Sequence, residues 1–155
     1  MAKEIERKFL VKNLAFKDYA EGILYRQGYI TNSADKVVRV RIAGDKGYLT
    51  IKTKNIGLTR SEFEYEIPVK DADELLRSVC EKPIIEKYRY TYSYEGHTWE
   101  IDEFLGANEG LVIAEVELLT EDEPVSKPDW IGEEVSGDSK YYNSNLIKHP
   151  YQNWH

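Results

Sequence analysis

An α+β fold that is mainly β, built as a largely antiparallel barrel, closed or nearly so, with a few helices packed outside, is predicted by three features of the sequence. Segment after segment alternates apolar and polar side chains, the period of a half-buried strand. Tight turns join many of these segments, such as Gly-Asp-Lys-Gly at 44–47 and Glu-Gly at 95–96. Only the stretch DADELLRSVCE at 71–81 is clearly helical, with Leu75, Leu76 and Val79 at helical spacing and Asp71 or Asp73 placed to cap it.

In chain order, KEIERKFLV at 3–11 is the first strand, with Glu4, Glu6 and Lys8 on one face and Ile5, Arg7, Phe9 and Val11 on the other. NLAFKDYAEG at 13–22 is a short helix or loop closed by Gly22. The strand ILYRQGYI at 23–30 follows, then a turn at 31–36 and the hairpin VVRVRIA (37–43) and YLTIKTK (48–54). RSEFEYEIPV at 60–69 alternates again and stops near Pro68. After the helix come IIEKYRYTYSY (84–94), HTWEIDEFL (97–105) and LVIAEVELL (111–119). From Glu121 onward the pattern weakens into a short helical, capped tail. This makes about eight strands.

The totals fit a single domain spanning 1–155. Charged residues make up 32% of the chain, above the roughly 25% average, so the excess needs a location. A net charge of −7 argues against nucleic acid or an anionic membrane as partner, since both require a dominant basic surface. The one cysteine, Cys80, excludes an internal disulfide and a cysteine-rich metal site; it reads as helix packing. With no signal-peptide pattern and no apolar run of membrane-spanning length, the expected compartment is the cytoplasm.

The excess charge follows the strands. Arg39 and Arg41 share one face, as do Lys52 and Lys54, and Lys87 and Arg89; Arg60 is joined by Glu62, Glu64 and Glu66. Carboxylates pair at 4 and 6, 62 and 64, 100 and 102, and 115 and 117. One such face on one strand is ordinarily solvated surface. Repetition on every central strand, opposite faces rich in Val, Ile, Phe and Tyr, points to apolar faces turned outward under cover and charges lining the lumen. An eight-stranded lumen holds side chains and one small ligand. Buried ions cost several kcal/mol each unless paired or bound. Paired carboxylates beside basic groups suit a hard divalent cation held against a polyanion, and a metal-bound oligophosphate satisfies both sets.

Glu4-Ile5-Glu6-Arg7-Lys8 resembles the ExExK signature of the CYTH domain, the triphosphate tunnel metalloenzymes. The likeness continues through VRVR at 38–41, LTIKTK at 49–54, RSEFEYEI at 60–67, IEKYRY at 85–90, EIDEF at 100–104, AEVEL at 114–118 and the tail EEVSGDSKYYNSNL. The resemblance implies an eight-stranded antiparallel tunnel and hydrolysis or cyclisation of a triphosphate-bearing small molecule, with Mg²⁺ or Mn²⁺ as cofactor. It implies phosphate ligands at Lys8, Arg39, Arg41, Lys52, Lys87 and Arg89. It implies an acidic side of Glu4, Glu6, Glu62, Glu64, Asp102, Glu115 and Glu117. Glu4, Glu6, Asp102, Glu115 and Glu117 are the metal candidates. Lys8, Glu62, Glu64 and Lys87 are the candidates for catalysis, one glutamate orienting water unless a second metal does so. Glu100 is a further candidate for the acidic side, and Lys54, Arg60 and Lys140 are additions at the tunnel ends.

His97, His149 and His155 share no spacing with the carboxylates and read as surface residues. Tyr88, Tyr90, Tyr92 and Tyr94 form a stripe that fits outer-wall packing better than base stacking. Tyr29 is placed to gate a tunnel mouth, and Asp138, Lys140, Tyr141 and Asn143 to close the barrel end. The leading expectation is a metal-dependent triphosphatase acting on inorganic triphosphate. Thiamine triphosphatase, nucleoside triphosphatase, class IV adenylate cyclase and a non-catalytic polyphosphate-binding module stand as alternatives. The outward apolar stripes fit a homodimer seam.

Overall fold

The computed structural model describes residues 3–33 and 35–154. Nine strands form one antiparallel sheet: β1 (Lys3–Val11), β2 (Ile23–Asn32), β3 (Lys36–Ala43), β4 (Lys46–Thr53), β5 (Thr59–Ile67), β6 (Ile85–Tyr94), β7 (His97–Phe104), β8 (Val112–Glu117) and β9 (Ile131–Glu134). Their order is β5-β4-β3-β2-β6-β7-β8-β1, and pairing of β1 with β5 closes eight of them into a barrel. The ninth, β9, adds to β1 beyond the closure.

The predicted hairpins form because their turns suit them. Gly44 takes a positive φ of 61° between β3 and β4, and Glu95 and Gly96 take φ of 50° and 82° between β6 and β7. The tail differs from expectation, because β9 lies within the segment read as helical. Only four residues long and flanked by Pro128 and Gly137, it offers no alternation to detect. It is fixed instead by partners distant in sequence: Val11 pairs with Ile131, and Arg7 grips Glu134 at 2.6 Å.

The first α-helix, α1 (Val69–Ser78), starts two residues earlier than expected, at a Pro68 N-cap without a side-chain capping bond. Asp71 sits in the first turn, where it complements the helix dipole. Asp73 is drawn away to Arg77 at 2.9 Å and Arg26 at 3.5 Å, so neither aspartate caps. Ala72 and Leu76 of α1, with Cys80 just beyond it, pack on the outward side chains Val40 and Ile42. Glycines let the helix approach: a Cβ on Gly28 would meet that of Cys80 at 2.8 Å, and one on Gly47 that of Ala72 at 2.8 Å.

A second outer core joins Phe9, Tyr90, Trp99, Ile101, Ala114 and Val116 to the covering segments through Phe16 and Trp130. The tyrosine stripe belongs here as wall packing, with Tyr92 and Tyr94 against this cluster and Tyr88 half-exposed. The third core lies inside the barrel. There α2 (Asn143–Lys148) inserts Leu146 and Ile147 among Ile85, Phe104, Leu111 and Ile113, plugging one end. The apolar strand faces are therefore largely outward and covered, which leaves the rest of the lumen to the charged faces.

The glycine contact sets a test of this packing. Gly28→Ala should lower the unfolding free energy by about 1–3 kcal/mol through overpacking against Cys80 and Leu76, read as a lower urea midpoint with unchanged slope.

Candidate active site

Seven carboxylates and seven cations line a cavity of about 320 Å³ inside the barrel. The carboxylates are Glu4, Glu6, Glu62, Glu64, Glu100, Glu115 and Glu117; Lys8, Arg39, Arg41, Lys52, Arg60, Lys87 and Arg89 oppose them. Formal charge within the wall balances, so the chain's net −7 resides elsewhere.

Strand register assembles these groups. Glu6 and Lys8 of β1 face Glu117 and Glu115 of β8, and Glu115 also faces Glu100 of β7. Past the closure, on β4, β5 and β1, Lys52 faces Glu62, Thr50 faces Glu64, and Glu4 faces Arg60. Directly opposed residues on one face of an antiparallel pair come within contact distance, so alternation on each strand plus register gives the wall.

The pairing is dense. Lys8 Nζ donates to Glu115 at 3.1 Å and stands 4.0 Å from Glu6. Lys52 Nζ reaches Glu4 at 3.0 Å and Glu62 at 3.3 Å, and Arg60 Nε donates to Glu4 at 3.1 Å. Arg39 donates to Thr50 Oγ1 at 3.3 Å and lies 3.6 Å from Glu64, which itself accepts from Thr50 at 2.9 Å. Arg39 Nε is buried with no hydrogen-bond partner among the described residues. Arg89 makes a two-pronged bond to Asp102 at 2.7 and 2.8 Å and stands 3.4 Å from Glu100.

Burial and neighbouring charge set the proton affinities. For Glu4, burial opposes ionisation, but Lys52 and Arg60 outweigh it and hold the group well below the usual carboxylate range. Glu115 is held low in the same way by Lys8, Arg89 and Lys87. Glu6 goes the other way: burial, then Glu115 and Glu4, push it up to about 8. Glu62 and Glu117 are also raised, each by burial and then by Glu4. Burial lowers Lys87 to about 7, with Arg89 and Arg41 adding to the effect against Asp102. Burial lowers Arg41 to about 10, reinforced by Arg39 and Arg89.

A divalent cation fits the donor chemistry at one part of this wall. Glu6 is crowded by Glu4 and Glu115 and lies opposite Glu117 in register, and such crowding is what a hard cation relieves. No group of three His, Cys, Asp or Glu side chains among the described residues stands ready-assembled as a metal cage. The donors are held by lysine and arginine instead.

Asp102 stands apart from the other expected acidic residues. It does not line the cavity but lies fully buried beneath it, bonded to Arg89 and, at 2.6 Å, to Lys87. Its strand position explains this, because Asp102 pairs in register with Arg89 on one side and Ile113 on the other, near the plugged end. Arg60 joins the cavity, whereas Lys54 is exposed and Lys140 packs over the Trp154 ring at 4.8 Å. Tyr29 is buried in the apolar core at the closed end and also lines the cavity. His97 is engaged by Glu123 outside the cavity, His149 packs near Trp154, and His155 lies outside the described residues.

Uncharged members of the site carry no charge signal in the sequence. Tyr25 is a platform for two guanidiniums, with Arg41 at 5.0 Å and Arg89 at 4.9 Å from its ring. Gln27 accepts from Arg41 Nε at 3.1 Å. Asn143, expected only to help close the barrel end, accepts from Lys87 Nζ at 2.9 Å. Alternation applied to β2 puts Tyr25, Gln27 and Tyr29 on one face, and that was the available clue.

The chain matches the family model for the CYTH domain over residues 2–151. It is 60% identical over 154 residues to an inorganic triphosphatase of Acetivibrio thermocellus, covering 99% of each chain. It is 38% identical over 151 residues to an inorganic triphosphatase of Nitrosomonas europaea, covering 92% of this chain and 95% of that one. A solved structure of an inorganic triphosphatase superposes with a TM-score of 0.69 at 34% identity, covering 95% of both chains. Charged cavity, barrel order and sequence agree, and the chain belongs to the CYTH-domain family.

Proposed function

We propose that this chain hydrolyses inorganic triphosphate to diphosphate and phosphate within the barrel cavity, with a divalent cation, Mg²⁺ or Mn²⁺, as cofactor. The observation that carries this reading is the cavity wall itself, where a row of cations faces a row of carboxylates around a space for one small polyanion. The inorganic triphosphatase of Acetivibrio thermocellus, 60% identical along almost the whole chain, supports it.

Phosphoryl transfer asks of a protein mainly positioning and charge neutralisation. In this reading Lys8, Arg39, Arg41, Lys52, Lys87 and Arg89 bind the phosphate oxygens. Arg39 brings a buried Nε that lacks a partner, and the arginines offer planar forks where the lysines offer point charges. Glu4, Glu6 and Glu117 would hold the cation; bound there, it would polarise phosphate oxygens as a Lewis acid. Glu115 and Asp102 take a different role, keeping Lys8, Lys87 and Arg89 in place.

Glu62 and Glu64 sit on β5, which like β8 flanks β1, and are the candidates to orient the attacking water. Glu64 already accepts from Thr50 and Glu62 from Lys52, so each has a fixed orientation. Water attacks the terminal phosphorus, the bridging P–O bond breaks, and its electron pair leaves with diphosphate. The charge that grows on the departing oxygen falls among ammonium groups of the wall, and Lys8 and Lys87 are assigned to neutralise it. Water's proton passes to the orienting carboxylate.

With Mg²⁺ or Mn²⁺ present, phosphate release should be fastest on inorganic triphosphate among a panel that includes ATP and thiamine triphosphate, and EDTA should abolish it. Higher turnover on ATP or formation of cyclic AMP would overturn the assignment. Lys8→Ala should cut turnover by about 10²–10³-fold, the usual cost of one donor aimed at transition-state charge, with a circular dichroism spectrum like the parent's.

Lys87 supplies a pH test. In the empty site its pKa of about 7 lies below its ordinary value of 10.5, so the folded protein holds fewer protons than the unfolded chain between those limits. Its contribution to stability therefore rises with pH through that window. A bound triphosphate favours the ammonium form and reverses the shift. Titration calorimetry at pH 8 in buffers of different ionisation heat should show the parent taking up more protons on binding than Lys87→Met, by at most roughly one per site.

A further inference from the structure

Behind the charged wall lies a small neutral network that the hydrolysis itself does not require. Gln27, on β2, is fully buried, and its register neighbours are Ile85 on β6 and Arg41 on β3. Its side chain does not line the cavity. All its hydrogen bonds go to side chains of the site. Oε1 accepts from Arg41 Nε at 3.1 Å, while Nε2 donates to Tyr29 Oη at 3.2 Å and to Asn143 Oδ1 at 3.2 Å. That same Asn143 oxygen accepts from Lys87 Nζ at 2.9 Å.

A buried amide is costly unless bonded, and an apolar residue would fill this space beside Ile85 and the barrel plug without that liability. What glutamine adds is direction. Nε is held by Gln27 and the guanidinium carbon lies 5.0 Å from the Tyr25 ring centre, while the two terminal nitrogens of Arg41, which lines the cavity, make no hydrogen bond among the described residues. On the other side Gln27 fixes the Asn143 amide so that its oxygen meets Lys87. Asn143 is the first residue of α2, the helix whose Leu146 and Ile147 plug the barrel. One side chain thus ties two wall cations, on the two strands that flank β2, to the seating of the plug.

We propose that Gln27 and Asn143 are positioning residues for the phosphate clamp, Gln27 orienting Arg41 and Asn143 orienting Lys87, so that docking of the C-terminal helix sets the geometry in which triphosphate is gripped. The proposal rests on the reading of Arg41 and Lys87 as phosphate ligands.

The test is a pair of double-mutant cycles on the whole chain, read as the Kd of inorganic triphosphate by calorimetry in EDTA and as KM and kcat with Mg²⁺. Gln27→Met, of similar length but without polar atoms, should weaken triphosphate binding about tenfold, within the roughly 10–100-fold range for supporting partners. It should raise KM more than it lowers kcat. In an Arg41→Met background the same change should cost clearly less, about threefold or under, because one of the two cations it orients is gone and only the link through Asn143 to Lys87 remains. Asn143→Ala should behave likewise toward Lys87→Met, and this variant, at the first residue of α2 and only half-buried, decides the matter if Gln27→Met does not fold. Equal losses in parent and single-cation backgrounds would mean a general structural role and overturn the proposal, as would full affinity in Gln27→Met and Asn143→Ala. If Arg41→Met and Lys87→Met themselves bind triphosphate normally, the phosphate-clamp reading falls and takes this one with it.

Discussion

The cost of taking ions out of water governs this molecule. A buried charge left without a counter-ion costs several kcal/mol, and breaking one buried pair costs about as much. The barrel meets that constraint by strand register, setting carboxylate against ammonium or guanidinium across neighbouring strands, as with Lys8 and Glu115, Lys52 and Glu62, and Arg89 and Asp102. Because closure of β1 on β5 brings Glu4 to Arg60 and Lys52, it also completes the ionic ring. The fold and the charged cavity are one problem with one solution.

Turning charges inward obliges the apolar faces to be covered outside. That accounts for α1 lying on glycine-surfaced strands, for Phe16 and Trp130 clasping β1 and β6–β8, and for the length of chain spent after β8. The tail performs two tasks that the barrel cannot. It adds β9 beside β1 through Ile131 and Glu134, and it plugs one end with Leu146 and Ile147. The lumen is thereby divided into an apolar stopper and a polar chamber, with Gln27, Tyr29 and Asn143 at the boundary between them.

Alternation made the barrel legible, because a period of two survives in a single sequence and every central strand repeats it. The charged rows were legible for the same reason: Glu4, Glu6 and Lys8 look inward, as their spacing requires. Register was not legible, since it depends on which strands meet, and so Asp102 could not be distinguished from the cavity carboxylates although it ends beneath Arg89 and Lys87. β9 escaped because four residues carry too little periodicity, and the aspartates of α1 misled because capping and ion pairing call on the same side chains. Tyr25 and Gln27 escaped because neutral residues at inward positions look like packing until their partners are known.

Equal numbers of cations and carboxylates around the cavity bear on how a ligand can enter it. On the proposed reading, a triphosphate arriving alone would draw Lys52 from Glu4 and leave a buried carboxylate short of a partner. A divalent cation arriving alone would take carboxylates from their lysines and leave ammonium groups unpaired. Each solitary entry is therefore weaker than joint entry, so triphosphate binds in EDTA but less tightly than with the cation. On the proposed reading, entry of both lets Lys52 turn to phosphate while Glu4 turns to the cation, and Glu115 stays on Lys8. A basic pocket would trap phosphate anions of any kind; a wall balanced like this one suits an anion that brings its own cation, which is the physical use the proposed reading gives to its acidic half.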